Sequence, residues 1–443
     1  MEKSLFIEYV SRVWPKLSLF VNEKINNQKK PLKYYHKEML TPVYSADQKW
    51  EGTSANTTYV AADMVAMDSP LPLKTRDSIA QASGKLPKIG MKKQLKETQI
   101  NAINIMKAQL SMTSDENAQK AQLQRIFNRI IDDGYACSVG IDERNEANFL
   151  RGLSDGIILV QDEENTGAGL RINYGYLPSH SFGVETLGTV TGDDIDRVIS
   201  KANADNNSLA VVVIDQSTYN KIRKSQWAKE LVAGYKEQVV VENSKLPVPA
   251  VTSFDDAFKA EYNLDFFKVD RTVIIEKNGK RNPYKPFNAN KLIFLPSADN
   301  VGSLVWGTLA EDTNRVNGVE YSTVDSYKLI SRYSKTDPLQ EFTNGQALVL
   351  PVIENVDQIY SLDISEAQAV DTAKESEDSG DEKITIWGST YKKPEFVTEY
   401  NKIAGKNLAS TVSDDKLIAA VNRLNDADED ALKKAVESHK ALE

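Results

Sequence analysis

Residues 278–307 read NGKRNPYKPFNANKLIFLPSADNVGSLVWG, and residues 337–362 read DPLQEFTNGQALVLPVIENVDQIYSL. Each is a pair of strand signals joined by turn chemistry. Asn278-Gly279 is the dipeptide of a type I′ hairpin, whose two central residues need positive φ. KLIFL, residues 291–295, reads as the returning strand, stopped by Pro296, which has no N–H for a ladder. A glycine-containing turn then leads into VWG. Residues 346–364 supply two more short strands, QALVLPVI and DQIYSLDI.

Upstream, residues 186–275 read as α/β. TGDDIDRVISKAN predicts a helix entered through Thr191, Gly192 and Asp193. LAVVVI, residues 209–214, is a continuous apolar run suited to a buried strand. STYNKIRKSQWAKELVAGY predicts the next helix, and residues 239–241 and 272–275 predict further strands. Between 311 and 335 the chain is polar and turn-rich, with strand-like alternation in VEYSTV.

Residues 91–133 predict helix. Leu123, Ile126, Phe127, Ile130 and Ile131 form a one-sided stripe. Ser114 or Asp115 is a candidate cap, and Gly134 a candidate end. A short helix, ERNEANFLRGL, follows. Before this lies a long hairpin over 50–92. Its middle, DSPLPLKTR, cannot be helical because of Pro70 and Pro72. It has little to bury in a core of its own, whereas Met64, Val65 and Met67 need cover, so an intermolecular arm is the better reading over a surface loop. Residues 3–28 carry Phe6, Val10, Val13, Leu17, Phe20, Val21 and Ile25 at helical spacing, with Pro15 kinking or splitting the run. This segment packs on its own core or lies on a neighbouring subunit.

Residues 366–383, EAQAVDTAKESEDSGDEK, hold six acids between Asp371 and Glu382 and read as a flexible linker. After it, ITIWGSTYKKPEF restarts as strand and turn, followed by helix signals in PEFVTEYNKIAG and DDKLIAAVNRLNDADEDALKKAVES.

The 443 residues suggest two or three structural units. Net charge is −9, and no basic stripe is evident, which argues against a nucleic-acid gripping surface. One cysteine, Cys137, excludes an intrachain disulfide, and His36, His180 and His439 share no ligand spacing. No apolar run reaches the length of a membrane span. The N-terminal stretch MEKSLFIEYVSRVW does not read as a signal peptide. NTGAGL (165–170) and GTVTGDD lack the lysine and context of phosphate-binding loops. The pairs Asp193-Asp194 and Asp255-Asp256 read as helix-start acids, and Asp132-Asp133 as a solvated turn at a helix end. No catalytic, cofactor-binding or metal-ligating residue is expected.

Three segments together carry a resemblance over residues 40–364. They are AADMVAMDSPLPLKTR with GKLPKIG, the helix ending near NFLRGL, and the closing block quoted first. In order and spacing they resemble the lambda-like phage major capsid proteins, the major capsid protein E family. The resemblance implies an α+β Hong Kong 97-like fold. Residues 1–50 would be an N-terminal arm, 51–92 an extended E-loop and 93–154 the spine-helix region of a P-domain. Residues 155–350 would be an A-domain with P-domain strands, and 351–365 the closing P-domain strand. The linker over 366–383 and a small α-rich domain over 384–443 lie beyond the family's usual end.

The function implied is a structural shell protein of a tailed phage or prophage, assembling into pentamers and hexamers around DNA without reading its sequence. Portal, scaffold and decoration proteins would be partners. The virion would be its location, after assembly in the host bacterial cytoplasm. Expected assembly residues are Met64, Met67, Asp68, Pro70, Pro72, Arg76, Gly84 and Pro87 in the E-loop. Phe6, Val10, Trp14 and Phe20 are those of the N-arm. Two other readings stand beside this one: an encapsulin-like nanocompartment shell of the same fold, and an α/β enzyme with an unrecognised site.

Overall fold

A computed structural model describes residues 3–26, 33–54, 80–160, 170–236, 246–277, 279–368, 383–387, 389–404, 417–418, 421, 424 and 426–436. The chain divides into two compact units, Met1–Gln368 and Ala369–Glu443.

Pro15 splits the first amphipathic run. Helix α1 (Ile7–Val13) passes through one 3-10 turn into α2 (Leu17–Asn26). Short α3 (Tyr35–Met39) runs into strand β1 (Leu40–Tyr44). Strands β2 (Lys49–Ser54) and β3 (Ala80–Lys85) pair antiparallel from Lys49↔Lys85 to Ser54↔Ala80, forming the base of the predicted hairpin. The next stretch departs from expectation. Residues expected to begin a helix at 91 continue instead as strand β4 (Lys88–Lys96), and helix α4 (Glu97–Met112) starts only after it.

Helix α5 (Glu116–Asp155) is 40 residues long and begins where the Asp115 side chain accepts the Asn117 N–H. It does not stop at Gly134, so Asp132 and Asp133 lie mid-helix rather than in a turn, and ERNEANFLRGL is its last part. Packing explains the continuation. A Cβ on Gly134 would lie 3.2–3.3 Å from Leu17 and Trp14, so glycine lets the N-terminal helices approach the spine. That close packing offsets the helix-propensity cost of glycine, about 1 kcal/mol. The helix ends at Gly156, whose φ of 70° suits a left-handed cap.

Strands β5 (Ile157–Val160), β6 (Leu170–Asn173) and β7 (Ser181–Val184) follow. Then come α6 (Gly192–Ala204), β8 (Val211–Asp215), α7 (Gln216–Arg223), α8 (Gln226–Tyr235), α9 (Val251–Tyr262) and β9 (Asp265–Val269). The single helix expected over 217–235 is two, because Ser225 opens α8 by accepting the Ala228 N–H. Strands β10 (Val273–Lys277) and β11 (Lys280–Tyr284) form the predicted hairpin, with Gly279 at φ 74°.

KLIFL is therefore not its returning strand. It is β12 (Lys291–Leu295), which pairs elsewhere. The chain continues through β13 (Gly302–Gly307), short α10 (Ala310–Thr313), β14 (Glu320–Val324), β15 (Lys328–Lys335), β16 (Gln340–Ile353) and β17 (Tyr360–Ala367). β16 begins six residues before the predicted strand.

Two sheets organise the first unit. The smaller runs β7-β17-β12-β8-β9. One of its faces packs Val212, Ile214, Leu292 and Phe294 with Phe254 and Phe258 of α9. The other sends Val213, Ile293 and Leu295 toward Phe149, Leu150 and Leu153 of α5. Burial on both faces is why these strands read as continuous apolar runs. The larger sheet runs β1-β13-β16-β15-β14, with β4 also paired to β16. Long β16 lies against α5: a Cβ on Gly345 would be 2.7 Å from the Cβ of Cys137.

The second unit pairs β18 (Lys383–Ile386) with β19 (Ser389–Lys392) and adds α11 (Lys393–Ala404) and α12 (Asp426–Val436). Ile384, Phe396, Tyr400, Leu417, Val421 and Leu432 share its core. Among the described residues no helix is long and apolar enough to cross a membrane.

Candidate assembly surface

The sequence-predicted assembly residues fall into three groups. Met64, Met67, Asp68, Pro70, Pro72 and Arg76 lie outside the described residues. Gly84 and Pro87 lie at the hairpin base. Gly84 is opposite Trp50, and a Cβ there would sit 2.8 Å from the indole Nε1. The glycine therefore makes room for Trp50, which is buried and meets Tyr174 edge-on at 6.1 Å. Pro87 joins β3 to β4 between the two strands.

The third group corrects an expectation. Phe6, Val10 and Trp14 are at most 1% exposed and pack with Leu95, Ile103, Ile126 and Ile130 of the same chain, with Phe20 half-buried beside them. The apolar stripe of α1 and α2 finds its complement on α5, so these side chains build this chain's own core instead of facing a neighbour. Polar contacts fix the same segment. Glu341 accepts from the Ser4 hydroxyl and the Leu5 N–H, and Ser334 Oγ donates to the Lys3 carbonyl at 2.6 Å. Glu341 is itself paired at 2.6 Å with Arg332, both fully buried, and Arg332 also donates to the Ile130 carbonyl at 3.1 Å.

A second buried network joins α3, α5 and the β14–β15 turn. Glu146 accepts the Tyr35 and His36 N–H groups and meets His36 Nδ1 at 2.6 Å. Four residues earlier on α5, one helical turn, Asp142 meets Lys328 at 2.7 Å and Lys37 at 3.0 Å. Asp325 meets both lysines, and these cations hold its carboxyl below the ordinary range against the upward push of burial. Charge-assisted contacts of this kind are the strong ones. They lock the start of the larger sheet onto the spine.

A third cluster closes one end of the smaller sheet. His180 stacks on Tyr360 at 4.1 Å, and its Nε2 lies 3.1 Å from Asp205. Burial depresses the imidazole below its ordinary pKa, against the pull of Asp205.

None of these clusters offers a nucleophile with a base. Cys137 is buried against the Thr343 carbonyl, and burial pushes its thiol up to about 12, so the thiolate is disfavoured. Among the described residues no group of three or more His, Cys, Asp or Glu side chains is placed to hold a metal.

The exposed features are edges and faces. β1 borders the larger sheet, with Val43 and Tyr44 exposed and Pro42 removing one N–H from the edge. A groove of about 510 Å³ lies beside it, lined by Pro42, Tyr44, Trp306 and Tyr327. Sequence reading missed this groove and both buried ion networks, because their members are separated by up to 337 residues.

No protein-family model matches the chain. No curated protein matches it. Among solved structures it is similar to a prophage protein of Escherichia coli CFT073 described as a capsid protein. Identity is 11% and the TM-score 0.45, covering 78% of this chain and 98% of that one. It is similar to a chain of the cyanophage A-1(L) capsid, at 12% identity and TM-score 0.41, covering 77% and 96%. It is also similar to a chain of the encapsulin complex of Synechococcus elongatus PCC 7942, at 10% identity and TM-score 0.30, covering 80% and 98%. The α+β class expected from the sequence is the class found.

Proposed function

We propose that this chain is a major capsid protein, building an icosahedral shell around phage or prophage DNA from pentamers and hexamers of itself. One observation carries the reading. Of the segments that bear the sequence resemblance, GKLPKIG, the spine helix and the closing block meet on one frame, where the hairpin base β2–β3 runs into β4, β4 pairs along β16, and the 40-residue α5 packs against that strand. A hairpin base set on a helix-and-sheet frame suits heterologous contact, in which one patch meets a different patch and rings close. The role is structural, with no catalytic step. Portal, scaffold and decoration proteins are its further partners, and assembly takes place in the host bacterial cytoplasm before the shell becomes part of the virion.

The test is size-exclusion chromatography with negative-stain electron microscopy of the full-length chain, alone and co-expressed with its gene neighbours. Rings of five or six, tubes or shells are the expected result. A monodisperse monomer under every condition, including co-expression, would overturn the reading. Copurification of an enzyme cargo instead of DNA would favour a nanocompartment shell.

A further inference from the structure

Strand β4 has two faces of different character. Ile89, Met91, Lys93 and Leu95 point toward the spine, where a Cβ on Gly140 would sit 2.1 Å from Met91 Sδ. The other face carries Lys88, Gly90, Lys92, Gln94 and Lys96, all exposed. Strand geometry spaces the three lysines about 13 Å apart. Lys96 is opposite Gln340, which is opposite Lys335 on the next strand. Two strand spacings put this fourth ammonium roughly 10 Å away. Lys92 lies 3.9 Å over the Phe342 ring and donates to the Tyr333 hydroxyl at 2.8 Å, so aromatic surface interleaves with the charge. Lys88, Lys96 and Lys335 have no ion-pair partner among the described residues. In a chain of net charge −9, this face is a local reversal of sign.

A local cluster of the opposite sign lies on the lobe built around the smaller sheet. Asp193 and Asp196 are exposed, three residues apart at the start of α6. Exposed Glu261, at the end of α9, comes beside them, because a Cβ on Gly192 would lie 2.9 Å from the neighbouring Tyr262 hydroxyl. None of the three acids has an ion-pair partner among the described residues. Desolvation, then the charges of Asp193 and Glu261, hold the Asp196 carboxyl above its ordinary range. A like-charge cluster of this kind gains from a cation brought from outside.

Both faces belong to one compact unit and have no ion-pair partner among its described residues, and a second copy carries the complement that each needs. We infer that the Lys88, Lys92, Lys96 and Lys335 face of one copy docks on Asp193, Asp196 and Glu261 of the next. The inference rests on the shell reading above and names the two surfaces of one heterologous contact. Different patches meet, so the contact propagates into a ring instead of stopping at a dimer.

Zero-length carbodiimide cross-linking, which joins lysine amines to carboxylates, tests this on the full-length chain. Protein at natural isotope abundance is mixed with ¹⁵N-labelled protein, and mixed-isotope peptides are read by mass spectrometry. The expected links join the four lysines to the three acids between copies. Their yield falls at least tenfold in 1 M salt, where screening acts over about 3 Å. The K88E/K92E/K96E variant should lose these links and the rings. Mixing it with D193K/D196K/E261K should restore links between the two variants. Near-UV circular dichroism of both variants should match the parent.

Three results would overturn the docking alone: shells whose inter-copy links map elsewhere, a lysine variant that assembles like the parent, or charge-swapped partners that fail to restore contact. Salt-sensitive retention on DNA-cellulose, lost in K88E/K92E/K96E while assembly persists, would assign the face to nucleic acid and also overturn it. Absence of both inter-copy links and particles would instead sink the shell reading.

Discussion

The Nζ of Lys328 lies 2.7 Å from Oδ1 of Asp142, and neither side chain is exposed. Taking both charges out of water costs several kcal/mol per ion, and their attraction repays this only while both are present. Lys328→Met should therefore destabilise the first unit by about 3–5 kcal/mol, the cost of stranding a buried carboxylate. Lys37, 3.0 Å away but 36% exposed, is a weak substitute. Lys328→Met with Asp142→Leu should cost less than either change alone, because no charge is left stranded. Urea unfolding of the four proteins of this cycle measures the coupling. Additive effects would show that the pair does not act as a unit.

Two glycines on the spine interface should respond differently to alanine. At Gly345 a Cβ would meet Cys137 Cβ at 2.7 Å and its carbonyl oxygen at 3.1 Å, a backbone group that cannot move aside. Gly345→Ala should lower stability by roughly 1–3 kcal/mol through overpacking. At Gly134 the nearest atoms are the ends of Leu17 and Trp14 side chains at 3.2–3.3 Å. There the gain of about 1 kcal/mol in helix propensity offsets the crowding, and Gly134→Ala should be near neutral. Thermal melts of the two variants check the order, and equal losses would refute it.

The His180 cluster gives a pH dependence with a definite sign. Burial places the folded-state pKa of His180 below its ordinary 6.5. As the pH falls through 6.5, the unfolded chain takes up the proton first, so stability is lost from there down to the folded-state value. Asp205 acts in a different window. Burial pushes its carboxyl up, but Lys201, Tyr360 and His180 outweigh this and hold it below 3.8. Its contribution is present above 3.8 and goes only below it. The melting temperature should therefore fall between about pH 7 and pH 5, and His180→Gln should flatten that slope. An unchanged slope in the variant would remove His180 as the cause.

Much of the frame was readable wherever a local signal matched a local outcome. Pro15 splits the first helix, Asp115 caps α5, Thr191 opens α6, and Gly279 turns the β10–β11 hairpin. What was misread involves partners distant in the chain. Gly134 looked like a helix end because its true neighbours, Leu17 and Trp14, lie more than a hundred residues away. KLIFL looked like the return of the nearest hairpin, yet its partners are Val211–Asp215 and Tyr360–Ala367. Residues 91–96 read as helix because Lys93, at an inward position, breaks the two-residue alternation of Ile89, Met91 and Leu95. The apolar stripe Phe6–Val10–Trp14 was found correctly, but nothing local says whether its complement is in the same chain. A sharper reading could have caught Arg332 and Glu341, charges at inward positions of otherwise alternating strands.

The hairpin base sets up the most direct test of separable folding and assembly. Ser54 and Ala80 are cross-strand partners at the last described pair of β2–β3. A two-residue Asn-Gly link of the type I′ class can therefore replace residues 55–79 without disturbing the register. Trp50 and Gly84 remain paired in that variant, so the core contact with Tyr174 is kept. Folding should survive, with near-UV circular dichroism and melting temperature close to the parent. Assembly should fail, because the segment carrying Met64, Met67, Asp68, Pro70, Pro72 and Arg76 would be gone while the frame stays intact. Sedimentation velocity of the two proteins reads both outcomes. A shortened chain that still forms particles would show that the segment is dispensable, and the E-loop role proposed for those six residues would be lost.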